Sequence, residues 1–225
     1  MQDIDSNSYF IYEGVSRLGY SVTPQEVSQL LVYLEVLRQW NTKMNLTAIR
    51  DEREIIVRHF LDSLAGLAVL PGKDSSAAPC KVMDIGTGAG FPGLPLKICR
   101  PKVHLTLLEP RQKKAAFLHA VCGQLGLQGV SILPERLEAL AQQPKHQGGY
   151  DILTSRALKV SGLMSELASS LLRANGQLVL WTAQGDGHLL HEHKSPSVWD
   201  RPRIIPYRLP FDDMERSLVV FQKAG

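Results

Sequence analysis

Three glycines at alternate positions, Gly86, Gly88 and Gly90, follow a short apolar run that contains Asp84, and Pro92 stands where a helix would begin. The stretch Lys81-Val82-Met83-Asp84-Ile85-Gly86-Thr87-Gly88-Ala89-Gly90-Phe91-Pro92-Gly93 reads as strand, tight turn and helix. Glycine lacks a Cβ, adopts positive φ easily and lets a ligand approach the backbone. A proline at the first helical position loses no hydrogen bond, because its N–H would have no partner there. Turns of this kind, between a buried strand and a helix, recur in nucleotide-type cofactor sites. The spacing is not the dinucleotide fingerprint G-x-G-x-x-G, whose third glycine would fall where Phe91 is.

Other candidate groups come at regular points further on. Glu109 closes the apolar run Leu105-Thr106-Leu107-Leu108 and lies 23 positions after Gly86. In nucleotide-binding α/β folds an acidic residue about 20 positions on takes the ribose hydroxyls. A carboxylate suits that role because it offers only acceptors. Leu137-Glu138 follows a third apolar run, and Ser155-Arg156-Ala157 a fourth. Ligands of open α/β sheets bind beyond the carboxyl ends of the strands, so Arg156 falls at the natural reaction edge. That edge carries neither Asn-Pro-Pro-aromatic nor Pro-Cys, so no nucleophile or general base presents itself. His188, His191 and His193 could hold a metal, but no second ligand set accompanies them, and no metal is expected.

The elements that must position these groups come in two kinds. Residues 1–75 read as helical, with a first helix from about Ile4 to Leu18. Thr23-Pro24-Gln25-Glu26 combines an N-cap, a first-position proline and a capping-box glutamate. Val27, Leu30, Leu31, Leu34, Leu37 and Trp40 then keep helical spacing. Asp51 and Glu54 can cap a further helix with the stripe Ile55, Ile56, Phe60, Leu64 and Leu67. The polar connection from Trp40 to Thr47 has no helical rationale. Pro71 to Pro79 reads as a linker. From residue 80 to 225 strands and helices alternate: strands at 81–85, 104–109, 130–133, 150–154 and 177–182, helices at 92–100, 111–125, 137–142 and 160–174. Alternation of this kind implies a doubly wound α/β fold, with a parallel sheet covered on both faces. Ile204–Leu209 and Leu218–Gln222 are too close for a crossover helix and read as an antiparallel pair.

Composition sets the outer bounds. The chain has 225 residues, 44% of them hydrophobic, enough for one medium domain with a small appendage. A net charge of +3 permits nucleic-acid binding without demanding it. The cysteines Cys80, Cys99 and Cys122 are odd in number and form no C-x-x-C, which fits a reducing compartment. The polar N-terminus is no signal peptide, and no apolar run reaches membrane-spanning length, so a soluble cytoplasmic protein is expected.

Taken together, the glycine turn preceded by Asp84 resembles motif I of the S-adenosyl-L-methionine (SAM) methyltransferases. More of the chain resembles one family in particular, the bacterial 16S ribosomal RNA guanine-N7 methyltransferases, or glucose-inhibited division protein B family. The resemblance rests on Trp40-Asn41 through Asn45-Leu46-Thr47-Ala48-Ile49 and on His59-Phe60-Leu61-Asp62-Ser63-Leu64. It continues through Asp84 to Pro95, Ser155-Arg156-Ala157 and Glu215-Arg216-Ser217-Leu218-Val219-Val220. It implies a class I SAM-methyltransferase (Rossmann-like) sheet, mostly parallel with a C-terminal antiparallel strand, plus a small N-terminal helical extension. It implies SAM contacts at Gly86, Gly88, Phe91, Glu109, Leu137, Glu138 and Arg156, catalytic roles for Arg156 and Arg136, and RNA contacts at Arg136 and Arg216. The implied substrate is a guanosine of 16S rRNA, by resemblance guanosine 527 in the 530 loop, within the small subunit or an assembly intermediate. The implied product of the cofactor is S-adenosyl-L-homocysteine, and a monomer is expected. The chain departs from the family's pattern at Thr182, near where a lysine is usual, and at Ser217, often a histidine.

Guanine N7 carries a free lone pair, so its methylation needs alignment and no proton removal, which agrees with the absent base. Alignment alone can supply several kcal/mol, up to roughly 7–11 in ideal cases. Phe91 or an N-terminal aromatic could stack on the base. The residues by themselves leave open a SAM methyltransferase for another RNA, a protein or a small molecule, and a non-catalytic binding module on the same fold.

Overall fold

The computed structural model describes residues 6–73, 75, 78–156, 162–183, 198–212 and 214–225. Ala157, Asp213 and the stretch with His188, His191 and His193 lie outside the described residues. The strands are β1 (Lys81–Ile85), β2 (His104–Leu108), β3 (Val130–Leu133), β4 (Tyr150–Ser155), β5 (Leu172–Ala183), β6 (Arg203–Arg208) and β7 (Glu215–Gln222). They form one seven-stranded sheet in the order β3-β2-β1-β4-β5-β7-β6. The pairs among β1 to β5 are parallel, and β7 runs antiparallel to both its neighbours. The edge strand β6 tolerates Pro206, opposite Ser217, because an edge can do without one N–H.

Helices α1 (Ser6–Arg17), α2 (Pro24–Asn41), α3 (Glu52–Ile55) and α4 (Asp62–Leu64) make up the N-terminal part. The remaining helices are α5 (Gly93–Cys99), α6 (Gln112–Leu125), α7 (Leu137–Ala141) and α8 (Gly162–Leu171). The capping box of α2 is present in full: Thr23 Oγ accepts from Glu26 N at 3.2 Å, and Glu26 accepts from Thr23 N at 2.7 Å. Such a cap contributes about 1 kcal/mol. Asp51 caps α3 as its sequence suggests, at 2.9 Å from Glu54 N.

The helix expected after Asp51 is not uniform. Between α3 and α4 the chain widens into a π-helical stretch, Ile56–Leu61, and after α4 it tightens into a 3-10 helix, Ala65–Val69. The connection without helical rationale is explained by Asn41, whose side chain accepts from Leu46 N (2.9 Å) and Thr47 N (3.1 Å) and donates to Thr47 O (3.1 Å). Two other expectations need correction. Pro92 caps α5 instead of starting it, because Gly93 N, at the true first position, donates to buried Asp84. The helix expected to reach residue 174 ends at Leu171, and β5 starts five residues early, with an irregular register and Asn175 at φ +61.

One hydrophobic cluster joins the N-terminal helices to one sheet face, with Leu30, Leu37, Phe60 and Leu64 packed among Phe91, Leu107, Trp181 and Leu218. A second cluster covers the other face around Met83, Leu153, Leu180 and Phe221, against α7 and α8. Gly66 lies so close to the Trp181 ring that an added Cβ would approach its carbons to 2.5 Å. No described helix is long and apolar enough to cross a membrane.

Candidate active site

The glycine loop leaves the C-terminal end of β1 and is held from below. Asp84 is fully buried. Its carboxylate accepts from the Thr87 hydroxyl, from Gly93 N at 2.9 Å and from the Thr154 hydroxyl at 3.1 Å. Burial pushes its pKa up to about 6 against the pull of those hydrogen bonds. Gly86, Gly88 and Gly90 all have positive φ, at +68°, +60° and +93°. Two of the loop region's glycines are demanded by packing: a Cβ on Gly90 would strike Leu94 and the Tyr33 hydroxyl, and one on Gly93 would strike Leu107 and Asp84. Gly88 is different, since a Cβ there would meet nothing nearer than Lys114 Nζ at 3.7 Å. A Cβ at Gly88 would make only ordinary van der Waals contacts, so the chain does not wall off the loop backbone there, and the residues fit a cofactor lying on the loop.

Glu109 follows β2 and is buried beside this space. One oxygen accepts from Gly88 N at 3.0 Å, the other from Arg111 N at 2.9 Å. A carboxylate has about four acceptor positions, so capacity remains for ligand hydroxyls. The same side chain also fixes the loop, a second task that spacing could not reveal.

Phe91 ends the loop and turns its ring into the protein. It stacks on His59 at 4.7 Å and on Tyr33 at 5.4 Å, and Phe60 packs against it at 5.6 Å. With the residue only 7% exposed, the ring presents no free face for a base, which corrects the expectation of Phe91 as a stacking platform. Its edge and backbone are what it can offer a ligand.

Arg156, just after β4, lies 5.8 Å above the Phe91 ring. Its guanidinium donates to Arg58 O, His59 O and Ser63 Oγ, all at 3.2 Å, and to His59 Nδ1 at 3.2 Å. A guanidinium has no acceptor, so Nδ1 must be the unprotonated nitrogen of His59. Nε2 then carries the proton and donates to Thr47 Oγ at 2.8 Å. Burial and the charge of Arg156 lower the His59 pKa to about 3. The imidazole is therefore neutral, with both nitrogens engaged, and is not a free base.

Arg156 also pairs with Asp62 Oδ2 at 3.4 Å, and Asp62 Oδ1 stands 3.5 Å from Arg216 Nε. Arg216 has three acidic neighbours in sequence, Asp212, Asp213 and Glu215. Of these, Asp212 pairs with Arg58 and Glu215 with Arg208, while Asp213 lies outside the described residues. The two departures from the family pattern turn out to be neighbours: Thr182 and Ser217 are register partners, and the threonine hydroxyl donates to Ser217 O at 3.1 Å.

Arg136, Leu137 and Glu138 stand apart from this cluster, at the start of α7 beyond β3. Arg136 is the N-cap with an extended backbone and is exposed, as is Glu138. Leu137 packs against the second hydrophobic cluster. All the candidates thus follow strand ends at one edge of the sheet, except Arg216 near the start of antiparallel β7, which is the same edge.

Sequence reasoning assigned no task to Tyr33, His59, Asp62 or Tyr207. Asp62 left one signal, an acidic residue inside the apolar run Phe60-Leu61-Asp62-Ser63-Leu64-Ala65. A charge so placed is rarely buried unless it is paired.

A family model described as rRNA small subunit methyltransferase G, GidB, matches residues 26–201. A protein of that name from Pelotomaculum thermopropionicum is 36% identical over 96% of this chain and 90% of its own length. Another, from Roseiflexus castenholzii, is 42% identical over 72% of this chain and 67% of its own. Among solved structures, a predicted O-methyltransferase from Agrobacterium tumefaciens superimposes with a TM-score of 0.55 at 20% identity, covering 74% of this chain and 80% of the other. That likeness shows a shared fold, which in this chain is a mostly parallel sheet with a single antiparallel strand next to the last.

Proposed function

This chain belongs to the rRNA small subunit methyltransferase G family, and from that premise we propose that it methylates N7 of a guanosine in 16S rRNA with SAM as donor. By resemblance the target is guanosine 527, presented by the small subunit or an assembly intermediate to a cytoplasmic monomer. The observation that carries the reading is the left-handed Gly88, where an added Cβ would make only ordinary contacts and whose N–H donates to Glu109, with the Phe91–Arg156 pair at the end of the same loop.

When bound, SAM supplies a methyl group already activated on a sulfonium, ready for in-line transfer to a nucleophile with a free lone pair. The chain's own residues bind and align. Gly86 and Gly88 admit the ligand to the backbone, and Glu109 accepts its ribose hydroxyls. Leu137 and Glu138 border the adenine. Arg156 is held by the backbone of residues 58–59 and by Ser63, so its position is fixed before substrate arrives. Arg136 and Arg216 face RNA phosphate or the acceptor edge of guanine. A neutral, fully engaged His59 agrees with a reaction that removes no proton before methyl transfer.

Radiolabelled methyl transfer from SAM to small subunits lacking the modification tests the proposal. Label in 16S rRNA, at a site lost on Gly88→Ala, supports it. Label appearing instead in protein or small-molecule pools would assign the same cofactor site to another substrate.

A further inference from the structure

Asp62 is fully buried at the start of α4, yet it touches four separate parts of the sheet. Its backbone carbonyl accepts from Trp181 Nε1 of β5 at 2.8 Å. Oδ1 accepts from the Tyr207 hydroxyl of β6 at 2.7 Å and lies 3.5 Å from Arg216 Nε of β7. Oδ2 lies 3.4 Å from Arg156, after β4. Tyr207 and Arg216 are register partners on adjacent strands, so their side chains share one face.

The charge balance of this cluster is unusual. Burial and the neighbouring carboxylate hold the Tyr207 phenol far above its ordinary pKa, so it remains a neutral donor. His59 is neutral as well. One carboxylate therefore faces two guanidinium ions, and the cluster keeps one positive charge. Among the described residues neither Asp62 Oδ2 nor Arg216 Nε has a hydrogen-bond partner, although both atoms are buried. A carboxylate kept only for packing is poorly explained here, since well-packed apolar side chains commonly serve as well as buried ion pairs. The surplus charge lies beside an open cavity of about 400 Å³ that Tyr207, Arg216 and Ser217 help to line.

The two arginines depend on Asp62 unequally. Arg156 has four further hydrogen bonds, to Arg58, His59 and Ser63. Arg216 has Asp62 as its ion-pair partner among the described residues. We infer that Asp62, oriented by the Tyr207 hydroxyl, is the positioning residue that aims Arg216 at the anionic substrate. The inference rests on the reading of this edge as the RNA-facing one. It assigns the N-terminal helices a part in substrate capture that does not pass through the cofactor.

The test is steady-state methyl transfer to small subunits lacking the modification, for the wild type, Tyr207→Phe, Arg216→Ala and the double variant. Calorimetry with S-adenosylhomocysteine runs alongside. Tyr207→Phe removes one hydroxyl and leaves Asp62 and the fold in place, whereas Asp62→Asn risks leaving two half-buried cations unbalanced. Loss of a hydrogen bond to a charged group should raise the subunit KM about tenfold or more, with the S-adenosylhomocysteine Kd unchanged. In the Arg216→Ala background the same substitution should change KM by less than about twofold, because the residue through which it acts is gone. An unchanged KM in Tyr207→Phe, or an equal rise in both backgrounds, overturns the positioning role. A wild type that transfers no methyl to subunits overturns the functional reading first and this inference with it.

Discussion

Tyr33, in the middle of α2, donates its hydroxyl to the carbonyl of Ala89 at the crest of the glycine loop. The bond spans 56 positions of sequence and is completely buried, and burial holds the phenol well above its ordinary pKa, so it stays a donor. The N-terminal helices therefore brace the glycine loop directly. Tyr33→Phe leaves a buried carbonyl without its partner, at a cost of about 1–3 kcal/mol. Its S-adenosylhomocysteine affinity should fall along with thermal stability. Affinity equal to the wild type's would show that the loop keeps its shape without α2.

The loop glycines should separate by mechanism. Gly88→Ala puts a methyl group into ordinary contact with Lys114 and Gly86, without a clash, at φ +60°, so folding should lose only about 1–2 kcal/mol while cofactor binding suffers more. Gly90→Ala drives the same methyl into Leu94 and Tyr33 at φ +93° and should chiefly destabilise. Gly86→Val, a branched side chain at φ +68°, should abolish binding. Calorimetry beside urea unfolding reads both quantities, and identical profiles for the Gly88 and Gly90 variants would sink the distinction.

Glu109→Gln replaces one acceptor oxygen with a donor that faces either Gly88 N or Arg111 N. We expect a loss of about 1–3 kcal/mol in cofactor affinity, accompanied by a lower unfolding midpoint. A variant with full affinity would return Glu109 to loop support alone.

Arg156 and Arg216 should differ in what they disturb. Arg156→Ala removes an anchor shared by β4 and the π-helical stretch, so S-adenosylhomocysteine affinity, turnover and stability should all fall. Arg216→Ala should leave cofactor affinity intact and weaken subunit capture. That deficit should shrink at high salt, because phosphate contacts act largely through counterion release. Full activity of Arg216→Ala at every salt concentration would remove it from the RNA-facing edge.

His59 and Asp84 should tilt stability with pH in opposite directions. The folded pKa of His59 is depressed to about 3 from 6.5, so the unfolded chain binds the extra proton, and stability is lost as pH falls below 6.5. The folded pKa of Asp84 is raised to about 6 from 3.8, so its contribution is lost as pH rises between those values. Between roughly pH 4 and 6 the two slopes, each about 1.4 kcal/mol per pH unit, oppose one another. His59→Gln removes one of them. The stability of the wild type minus that of the variant should then grow by about 1.4 kcal/mol per unit across that window. Urea unfolding at four pH values measures it, and a constant difference would mean that His59 titrates normally.

What could be read from the chain was local. The Thr23–Glu26 cap, the Asp51 cap, the alternation of strands and helices and the turn at Gly86–Gly90 all signal within a few residues. The strand-end rule singled out Arg156, and the family resemblance supplied Arg216. What escaped was long-range. Tyr33 with Ala89, His59 with Arg156 and Asp62 with Tyr207 join residues whose separations leave no periodic trace. The π-helical stretch escaped for a related reason, since its apolar residues Ile56, Phe60 and Leu61 satisfy ordinary helical spacing.

The place of Pro206 bears on how the molecule behaves in a crowd of its own copies. An edge strand is a template on which another chain can pair and so seed aggregation. β6 is such an edge, and Ile204 on it is 48% exposed, which gives a second chain apolar surface to settle on. Two positions later Pro206 has no N–H to continue a ladder, and the exposed Arg203 and Arg208 at the strand's two ends repel a like-charged copy. At the opposite edge β3 is only four residues long, too short to template much. The sheet is thus guarded against polymerisation at both ends.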